Sequence, residues 1–540
     1  MVSRILFCIL LVTWPGLVPS EIFTSIGEMA ELRLAERELV TSLEQLIAQE
    51  KERLTKIQRW VDSIQESKSS TTNLDAEAFV GHPAQAFLLI HRLGHAWPNM
   101  ASLLAHNYTH EFLSSLSANR EIFPSDEDRL GAAKALIRLQ DTYRLPPPSL
   151  AAGEIPGGLW MSQLSLDDSF ALTRVAYVEG DWYHTETWAA QALRQLQAGE
   201  TGSVTEVDIL DHLSYAVYRR GDIHRAHSLT MQLLKLDPQN VRAQNNLVHF
   251  MAALGDATKG HAEGRTWPTT GIRSEIPWSR RSGRRKHFRT SYEQLCRGEG
   301  ANLTERRRAK LVCRYVGGSP SSHPLLVIAP FREEMEWDSP RIVRYHDVIS
   351  EAEASRVMKL AKPRLNRATV HDPLTGELTV AQYRVSKSAW LREEHDWIVK
   401  KLNRRIETIT GLNVDTAEEL QVANYGLAGQ YEPHFDFGSD NEPDAFEELG
   451  TGNRIATFLF YMSDVTAGGY TVFTDLHAVV KPLKGSAVFW YNLFPNGKGD
   501  YRTRHAGCPV LMGSKWVSNK WLHERGQEFR RRCDLSPFAE

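Results

Sequence analysis

Residues 421–437 read QVANYGLAGQYEPHFDF, and this stretch decides the fold expected for the C-terminal part of the chain. His434 and Asp436 are two residues apart, and on a β-strand such side chains point to the same face. One imidazole and one carboxylate would therefore face the interior of a β-barrel together. His505, farther along, can complete a facial triad. Two histidines and one carboxylate leave three adjacent positions open on Fe(II), two for a chelating 2-oxo acid and one for dioxygen.

Lys515 lies ten residues beyond His505, where the next strand would carry it back into the same barrel. A buried lysine there could pair, as a compact point charge, with the far carboxylate of 2-oxoglutarate. An isolated H-x-D pattern is common, and each histidine alone is compatible with an ordinary surface or core position. Zinc is the main rival metal, but zinc sites favour histidine- or cysteine-rich ligand sets, and a catalytic base would still be missing.

Short strands alternate with turns from about residue 340 onward. Strands at this spacing predict a barrel or a sandwich. The predicted strands cover residues 420–425, 455–462, 470–473, 486–491, 504–505 and 515–521.

Residues 165–250 contain two predicted helix pairs, 167–177 with 183–197 and 206–219 with 223–236. The turn of each pair contains the dipeptide Gly-Asp, and a Leu-Asp-Pro ending precedes a further helix. This organisation is typical of tetratricopeptide repeats, which form a concave groove.

Aromatic residues are expected in that groove, at Tyr177, Tyr183, Tyr215 and Tyr218, with Asn245 beside them. Flat rings next to an asparagine suit extended, proline-rich peptides, because a polyproline II ligand is preorganised and stacks on aromatic surfaces. The alternative is that these tyrosines are packing residues of the repeats.

The N-terminal half is predicted to be helical. Apolar residues spaced by threes and fours predict one long helix over 25–65, which is either a coiled-coil seam for self-association or a helix packed on its own domain. A second helical stretch over 83–143 ends before Pro146-Pro147-Pro148, which stops a helix and marks a domain boundary. Residues 253–338 are rich in Gly, Arg and Pro, and we expect a solvated linker.

Size and composition fit a soluble multidomain protein. A chain of 540 residues is too long to fold around one hydrophobic core, and its length suggests about three to four domains. Apolar content is 42% and charged content 24%, as in ordinary globular proteins. The net charge of −3 argues against a nucleic-acid binder.

The first twenty residues, MVSRILFCILLVTWPGLVPS, predict a secretory signal peptide cleaved before Glu21. The alternative is a buried N-terminal strand. No later apolar run is long enough for a membrane helix, so we expect a soluble protein of the secretory lumen without a membrane span. The sequons at Asn107 and Asn302 predict glycosylation in the same compartment.

Four cysteines remain once Cys8 leaves with the signal peptide: Cys296, Cys313, Cys508 and Cys533. An even number in an oxidising compartment favours two disulfides, and three pairings are possible. Pairing of sequence neighbours closes the shortest loops. A zinc site is the alternative, but the sequence has no C-x-x-C pair.

Long strings of the sequence now carry a resemblance. QVANYGLAGQYEPHFDF, ELGTGNRIATFLFYMSDV, GGYTVF, GSAVFWYNLF, TRHAGCPVL and GSKWVSNKWLHERGQEFRR together look like the catalytic domain of animal collagen prolyl 4-hydroxylase α-subunits. DWYHTETWAAQAL and LSYAVYRRGD resemble the peptide-substrate-binding domain of that family. TSIGEM, ERELVTSLEQ and FVGHPAQAF resemble its dimerising region. The resemblance covers nearly the whole mature chain.

The resemblance implies residue roles. His434, Asp436 and His505 match the iron ligands, and Lys515 matches the residue that binds the C5 carboxylate of 2-oxoglutarate. The other implied positions are Tyr425 and Thr471 in the cosubstrate pocket, Tyr431, Arg454 and Trp521 near the substrate proline, and the disulfides Cys296–Cys313 and Cys508–Cys533.

The resemblance also implies a fold, an activity and a partner. The fold is multidomain: a signal peptide (1–20), an α-helical dimerisation region (21–145), an all-α tetratricopeptide-like domain (146–252), a linker with a disulfide (253–338) and a double-stranded β-helix (jelly-roll) dioxygenase domain (339–540). The activity is 4-hydroxylation of proline in X-Pro-Gly-type procollagen peptides, with Fe(II), dioxygen and 2-oxoglutarate as reactants, L-ascorbate as cofactor, and succinate and CO2 as products. The partner is protein disulfide isomerase, in an α2β2 tetramer that would retain the chain in the endoplasmic reticulum lumen.

Two alternatives remain open at the level of sequence. One is a prolyl hydroxylase that acts on a non-collagen secreted protein. The other is a catalytically silent, peptide-binding chaperone subunit that uses only the groove of the repeats.

Overall fold

The computed structural model describes residues 22–68, 89, 93, 97–105, 108–118, 123–158, 163–258, 286–301, 303–316, 323–371, 378–380, 384–439 and 446–536. The chain forms two compact units. One spans Glu28–Pro124, and the other contains the residues before and after that segment.

The unit Glu28–Pro124 is helical. It contains most of α1 (Ile26–Lys68), together with α2 (Trp97–Ala105) and α3 (Tyr108–Ala118). The ring of Trp60 meets that of Trp97 edge to face, with centroids 4.6 Å apart. Apolar side chains along α1 stay 40–59% exposed within the chain, at Leu34, Leu43, Ile47 and Leu54.

The predicted helical stretch over 83–143 is divided in the structure. Its last part is α4 (Asp126–Tyr143), a separate helix that belongs to the other unit. Ser125 caps α4 in a reciprocal pair of hydrogen bonds with Asp128, which sets a new helix start directly after Pro124. The helix ends at Arg144, shortly before the three prolines, as the sequence predicts.

Helix pairs follow α4 and the short α5 (Pro147–Ala151), as predicted. They are α6 (Leu166–Val178) with α7 (Trp182–Gln197), and α8 (Glu206–Arg219) with α9 (Ile223–Leu236), followed by α10 (Val241–Thr258). Gly180 and Gly221 take positive φ values of 69° and 91° at the turns. Asp181 and Asp222 then cap the next helix with their side chains. The recurring Gly-Asp is therefore a helix stop followed by a helix start.

The C-terminal region is built on two main sheets, which confirms the predicted order of helical regions followed by a β-domain. The nine-stranded sheet has the order β1-β2-β3-β14-β10-β17-β8-β7-β4 and the four-stranded sheet the order β13-β12-β15-β9. The strands are β1 (Cys313–Val316), β2 (Phe331–Trp337), β3 (Ile342–His346), β4 (Asn366–Arg367), β5 (Thr369–His371), β6 (Leu378–Val380), β7 (Ser386–Leu391), β8 (Leu420–Tyr425), β9 (Tyr431–His434), β10 (Arg454–Tyr461), β11 (Ala467–Gly468), β12 (Thr471–Phe473), β13 (Ala478–Val480), β14 (Ala487–Tyr491), β15 (His505–Gly507), β16 (Val510–Met512) and β17 (Trp516–His523).

Apolar residues cover both faces of the nine-stranded sheet. One cluster combines its side chains with those of the four-stranded sheet, including Tyr425, Tyr461 and Phe473. A second cluster packs the opposite face of the sheet against two helices, α14 (Glu351–Ala361) and α15 (Trp397–Thr410). The large sheet is thus covered on both sides, which fixes the strands that carry the polar site.

The expectation of a solvated linker over 253–338 is wrong for the residues described there. This segment contains α11 (Lys286–Cys296), α12 (Glu305–Arg308) and α13 (Pro324–Ile328), as well as two strands. Strand β1 pairs with β2, and β2 pairs with β3, all antiparallel. A boundary at 338 would cut the β2–β3 hairpin. The short strands were missed because charged residues interrupt their alternation, as in FREEMEW.

The predicted disulfides Cys296–Cys313 and Cys508–Cys533 are also wrong. The structure joins Cys296 to Cys508, while Cys313 and Cys533 are exposed free thiols. Cys296 ends a helix that packs on the four-stranded sheet, where Tyr292, Leu295, Val472 and Ala506 bury both paired cysteines. Tertiary packing therefore determines which cysteine pairs with Cys296, and proximity in sequence does not.

Several sequence predictions fall outside the described residues: the signal peptide 1–20 and the sequon asparagines Asn107 and Asn302. Among the helices that are described, none combines the length and the apolar character that crossing a membrane requires.

Candidate active site

The three predicted metal ligands converge. His434 ends β9 and lies opposite His505 at the start of β15. His434 Nε2 is 3.6 Å from Asp436 Oδ1, and His505 Nε2 is 3.6 Å from Asp436 Oδ2. One ligand atom from each residue lies within 4.8 Å of the others, and we find no other such group of three or more among the described residues. This is a facial arrangement of two nitrogens and one oxygen.

Backbone carbonyls orient both imidazoles. His434 Nδ1 donates a hydrogen bond to the Glu432 carbonyl at 2.8 Å, and His505 Nδ1 donates to the Thr503 carbonyl at 3.0 Å. Since a carbonyl can only accept, Nδ1 carries a proton in each ring, and Nε2 is the atom that faces Asp436 and the metal position. Burial lowers the pKa of His505 to about 4, against the opposing effect of Asp436, so this ring is neutral at physiological pH.

Asp436 is held from behind by a buried hydrogen-bond relay. The Thr457 hydroxyl donates to Asp436 Oδ2 at 2.7 Å, and Asn492 Nδ2 donates to Thr457 Oγ1 at 2.9 Å. Burial alone would raise the pKa of Asp436, but His505, His434 and Arg454 outweigh it and hold the pKa well below its usual range. The carboxylate is therefore ionised and fixed in direction, as a metal ligand requires.

Lys515 lies directly before β17 and is only 2% exposed. Its Nζ is 4.8 Å from the centroid of the Tyr425 ring. We find no carboxylate or hydrogen-bond acceptor that pairs with this ammonium among the described residues, and burial lowers its pKa to about 7. A buried cation without a counter-charge is costly, and an anionic ligand would remove that cost.

Tyr425 and Thr471 line the same interior. Thr471 pairs with Gly507 across the strands, and the Tyr425 hydroxyl lies against Gly507, 3.1 Å from where a Cβ would stand. The Thr471 hydroxyl accepts a hydrogen bond from Tyr461 at 2.8 Å. Burial raises the pKa of Tyr425 to about 12, so its hydroxyl remains a donor. Together with Lys515 they provide donors and a charge for an oxyanion.

Tyr431, Arg454 and Trp521 surround the metal ligands on another side. The Tyr431 ring stacks on His434, with centroids 3.5 Å apart and planes at 19°. The Arg454 guanidinium lies over the Trp521 ring at 4.1 Å and donates to the Asp436 carbonyl at 3.3 Å. The Trp521 indole N–H is buried and has no acceptor within the described parts of the chain.

Arg454 is anchored by an ion pair with Glu418. Its Nε donates to Glu418 Oε1 at 2.5 Å and its second nitrogen to Oε2 at 2.9 Å. His523 contributes a third contact, 3.0 Å from Oε1. Burial would raise the pKa of Glu418, but Arg454 and His523 lower it to about 2. The guanidinium is therefore fixed over Trp521 and unable to swing freely.

Three of the predicted groove tyrosines form a continuous string of rings on the helical repeats. Tyr177 and Tyr215 have centroids 5.7 Å apart, and Tyr215 and Tyr218 are 6.3 Å apart. Trp182, which the sequence reasoning did not single out, fills the corner at 5.4 Å from Tyr177 and 5.5 Å from Tyr215. We call Tyr177, Trp182, Tyr215 and Tyr218 the aromatic string.

The other two predicted groove residues are placed differently. Tyr183 is buried and contacts Arg220 and His184, so it does not join the aromatic string. Asn245 is exposed on α10, and the neighbouring Asn246 is half-buried.

Three family profiles match the chain in succession. They are described as the prolyl 4-hydroxylase alpha-subunit N-terminal region (residues 25–157), the prolyl 4-hydroxylase peptide-substrate-binding domain (166–256) and the 2OG-Fe(II) oxygenase superfamily (420–523). Prolyl 4-hydroxylase subunit alpha-1 of Rattus norvegicus is 54% identical over 518 residues, which is 95% of this chain and 96% of that protein. The chain belongs to the prolyl 4-hydroxylase α-subunit family.

More distant relatives in this prolyl 4-hydroxylase family match over the same span. Subunit alpha-1 of Gallus gallus is 53% identical, covering 96% of this chain and 99% of its own length. Subunit alpha-2 of Caenorhabditis elegans is 41% identical, covering 97% of both chains. A solved viral collagen prolyl hydroxylase from Paramecium Bursaria Chlorella virus-1 covers 33% of this chain and 94% of its own, at 24% identity and a TM-score of 0.28. That score is too low to support a structural comparison.

Some supporting residues of this prolyl 4-hydroxylase α-subunit were missed by sequence reasoning. Thr457 could have been found, because it is the one polar residue after the first position in the otherwise apolar strand RIATFLFY. Asn492 follows an apolar strand and gives no such signal. Glu418 and His523 needed the tertiary structure, since 105 residues separate them.

Proposed function

We propose that this chain hydroxylates C4 of proline in collagen-type X-Pro-Gly peptides, as a 2-oxoglutarate-dependent dioxygenase that releases succinate and CO2. The observation that carries the proposal is that a metal-binding triad and a buried lysine occur inside the same barrel. A triad of two imidazoles and a carboxylate faces the same interior as an unpaired buried lysine. A 2-oxo acid that chelates the metal carries a distal carboxylate, and this second charge is what the buried lysine would bind.

The residues present fit Fe(II). His434 and His505 offer their Nε2 atoms, and Asp436 offers an ionised oxygen whose carboxylate is fixed by Thr457. This set leaves three positions open on an octahedral ion. Bound iron supplies the activation of dioxygen, coupled to oxidative decarboxylation of 2-oxoglutarate. The protein holds the reactants in place and keeps bulk water out.

Lys515 binds the C5 carboxylate of 2-oxoglutarate in this proposal. Its ammonium gains the counter-charge that none of the described residues provides, and the centroid of the Tyr425 ring lies 4.8 Å from it. Tyr425 and Thr471 contribute hydroxyl groups to the same pocket. The arrangement orients the cosubstrate so that its 2-oxo end reaches the metal ligands.

Tyr431, Arg454 and Trp521 position the substrate proline. Two aromatic faces near the metal suit a flat, apolar pyrrolidine ring, and the stack of Tyr431 on His434 places one of them at the ligand itself. The unpaired Trp521 indole N–H is a donor for a peptide carbonyl, since proline itself offers no backbone N–H.

The aromatic string binds the flanking proline-rich segment. Its rings are half-buried, meet edge to face or at a tilt, and follow one another along neighbouring helices, which suits a preorganised polyproline II ligand. Arg219 and Arg242 lie 4.5 Å and 5.4 Å from the rings of Trp182 and Tyr177, which fixes the string in place and adds donors for peptide carbonyls. Tyr183 serves packing and Asn245 remains a candidate donor at the edge.

The remaining parts of the proposal concern assembly and compartment. The exposed apolar residues of α1 support self-association of the α-subunit through this helix. Family membership supports protein disulfide isomerase as the β-subunit, L-ascorbate as the reductant, residence in the endoplasmic reticulum, removal of the signal peptide 1–20 and glycosylation at Asn107 and Asn302. The domain limits 146–252 and 339–540 are kept as a proposal, with the strands before 339 added to the second of them, while the first domain, proposed as 21–145, is shortened to 28–124 because α4 and residues 22–27 belong to the other compact unit.

The test is mass spectrometry of (Pro-Pro-Gly)n, polyproline and elastin-like peptides after incubation with the chain and its isomerase partner. We expect the (Pro-Pro-Gly)n peptide to gain the mass of one oxygen atom per modified proline, only when Fe(II) and 2-oxoglutarate are both supplied. Preferential modification of the elastin-like peptide would redirect the proposal to a non-collagen substrate. Peptide binding without any modification would favour the alternative of a catalytically silent, peptide-binding chaperone subunit.

A further inference from the structure

Residues 22–27 form a short segment that runs from α4 to the C-terminal end of strand β8 in the large sheet. We call this segment the strap. Its first residues make a helical turn whose N–H groups point at α4: Ile22 N and Phe23 N donate to Asp128 Oδ1 at 2.6 and 3.3 Å. Its middle, Thr24 and Ser25, is fully buried. The strap is therefore a packed element of the folded chain.

Two glycines make room for the strap. A Cβ on Gly131 of α4 would stand 2.2 Å from the Phe23 ring. A Cβ on Gly426, directly after β8, would stand 2.2 Å from the Phe23 carbonyl oxygen. The Leu427 N–H donates to that same carbonyl at 2.9 Å. Backbone therefore meets backbone at Gly426, where a side chain cannot be accommodated without displacing the strap.

The strap ends on the side chain of Asn424 in β8, which is completely buried. Asn424 Oδ1 accepts from the Ser25 hydroxyl at 2.8 Å and from Gly27 N at 3.1 Å. Asn424 Nδ2 donates to the carbonyl of Lys515 and to Ser514 Oγ, both at 3.3 Å. The Lys515 carbonyl also accepts from Tyr425 N at 3.0 Å. One amide side chain thus connects the N-terminal strap to the backbone of the buried lysine.

We propose that the strap is a positioning element for cosubstrate binding, in which Ser25 and Gly27 orient Asn424 and Asn424 fixes the backbone of Lys515. This inference rests on the proposed role of Lys515 toward 2-oxoglutarate. The lysine ammonium is the end of a flexible stem, so its placement depends on how rigidly the backbone before β17 is held. Ser25 and Asn424 are 399 residues apart in sequence, so a segment near the N-terminus would support a pocket that is formed by the C-terminal strands.

Coupling of this kind is reciprocal. If strap docking favours 2-oxoglutarate binding, then 2-oxoglutarate must favour strap docking by the same factor. The strap is short and its ordering has an entropic cost, so its amides are expected to exchange by local opening. Exchange at Gly27 and Leu427 therefore reports on the strap in the unmodified protein.

The experiment compares Ser25→Ala and Gly426→Ala in the full chain, with Ser63→Ala as a control. The Ser63 hydroxyl is exposed on α1 and donates to the Trp60 carbonyl, and both residues belong to the other compact unit. Manganese(II) replaces iron so that binding is measured without turnover, and calorimetry gives the dissociation constants of manganese, 2-oxoglutarate and a (Pro-Pro-Gly)n peptide. Hydrogen exchange is followed in the unmodified chain with and without 2-oxoglutarate.

We expect Ser25→Ala to weaken 2-oxoglutarate binding about fivefold, as for loss of one buried hydrogen bond, and Gly426→Ala to weaken it more. The affinities for manganese and peptide and the Ser63→Ala control should stay within about twofold. In the unmodified chain, 2-oxoglutarate should slow exchange at Gly27 and Leu427. Unchanged 2-oxoglutarate affinity in both variants, or an equal loss of manganese and peptide affinity, would overturn the inference. Lys515→Ala distinguishes a failure of the strap inference from a failure of the proposed function. If this variant binds 2-oxoglutarate normally, the proposed role of Lys515 itself is wrong.

Discussion

In the barrel, Asp436, His505 and Lys515 are buried, and hydrogen bonds with neighbouring groups orient the three metal ligands. In the helical repeats, by contrast, the aromatic string is half-exposed, and its rings contact one another and two nearby arginines. Asp436 is oriented by Thr457, and both imidazoles are oriented by carbonyls. Trp182 meets Tyr177 and Tyr215 edge to face, and the Tyr177 and Tyr215 rings are tilted by 51° to each other. The difference indicates a division of labour. The barrel needs geometry fixed for chemistry, and the repeats need a tolerant surface for a repetitive peptide.

Removal of a metal ligand should have the largest effect and should be confined to the barrel. We expect His505→Ala to abolish succinate release while leaving the affinity for a proline-rich peptide unchanged, because the aromatic string does not use the iron. Turnover and peptide binding are measured on the same preparation. The control is His395→Ala, an exposed histidine in a turn, which should keep both. Turnover by His505→Ala would exclude this residue as an iron ligand.

Loss of the buried cation should come next. We expect Lys515→Ala to weaken 2-oxoglutarate binding by at least about thirtyfold, as for truncation of one partner of a buried charge pair, with the peptide KM unchanged. The exposed Lys498 provides the matched control, Lys498→Ala. An equal rise in both KM values would show that Lys515 supports the fold of the barrel and makes no specific contact with the cosubstrate.

The relay behind Asp436 should have a smaller effect, on the metal alone. We expect Thr457→Val, which keeps the shape of the side chain and removes the hydroxyl, to weaken manganese(II) binding about tenfold. Thr408→Val is the control, since its hydroxyl bonds only to a carbonyl of its own helix. Unchanged metal affinity, measured by calorimetry, would mean that Asp436 holds its direction without Thr457.

A substitution in the aromatic string should produce the mirror image of the barrel variants. We expect Tyr215→Ala to weaken binding of a (Pro-Pro-Gly)n peptide roughly threefold to tenfold, as for loss of one aromatic contact, with 2-oxoglutarate affinity unchanged. Tyr183→Phe is the control, because Tyr183 is buried outside the string. If Tyr183→Phe impaired peptide binding and Tyr215→Ala did not, the groove would lie on a different face of the repeats.

The last prediction concerns the stability of the chain and its dependence on pH. The pKa of Lys515 is about 7 in the folded chain and about 10.4 when unfolded. Below pH 7 the folded chain must bury the charge, so this lysine destabilises it, and the penalty fades as pH rises from 7 toward 10. We expect Lys515→Met without cosubstrate to unfold at a higher temperature than the parent at pH 6.5, with the difference shrinking by pH 9. A difference that grows with pH would contradict the assigned shift.

Sequence reasoning succeeded where local pattern determines structure. The helix pairs followed from periodicity and the Gly-Asp turns. His434 and Asp436 come together as expected, although β9 ends at His434 and Asp436 lies in the bend that follows it. Lys515 could be anticipated because strand β17 returns to the barrel. These features depend on a few neighbouring residues, which the sequence displays directly.

Prediction from the sequence failed where contacts between distant segments determine the structure. Cys296 finds Cys508 because α11 packs on the small sheet, and no loop-length argument reveals that contact. Strands β1 and β2 lack clean alternation, so the linker prediction was wrong. Tyr183 and Tyr177 look equivalent in sequence, yet one faces Arg220 in the interior and the other joins the string. The strap requires contacts across most of the chain.

The most direct test of the central claim is the ratio of succinate released to 4-hydroxyproline formed, measured by mass spectrometry for the chain with its isomerase partner and a (Pro-Pro-Gly)n peptide. The account predicts one succinate for each hydroxyproline, strict dependence on Fe(II) and 2-oxoglutarate, and loss of both products in His434→Ala. Hydroxyproline formed without 2-oxoglutarate, or binding of the peptide with neither product, would contradict it.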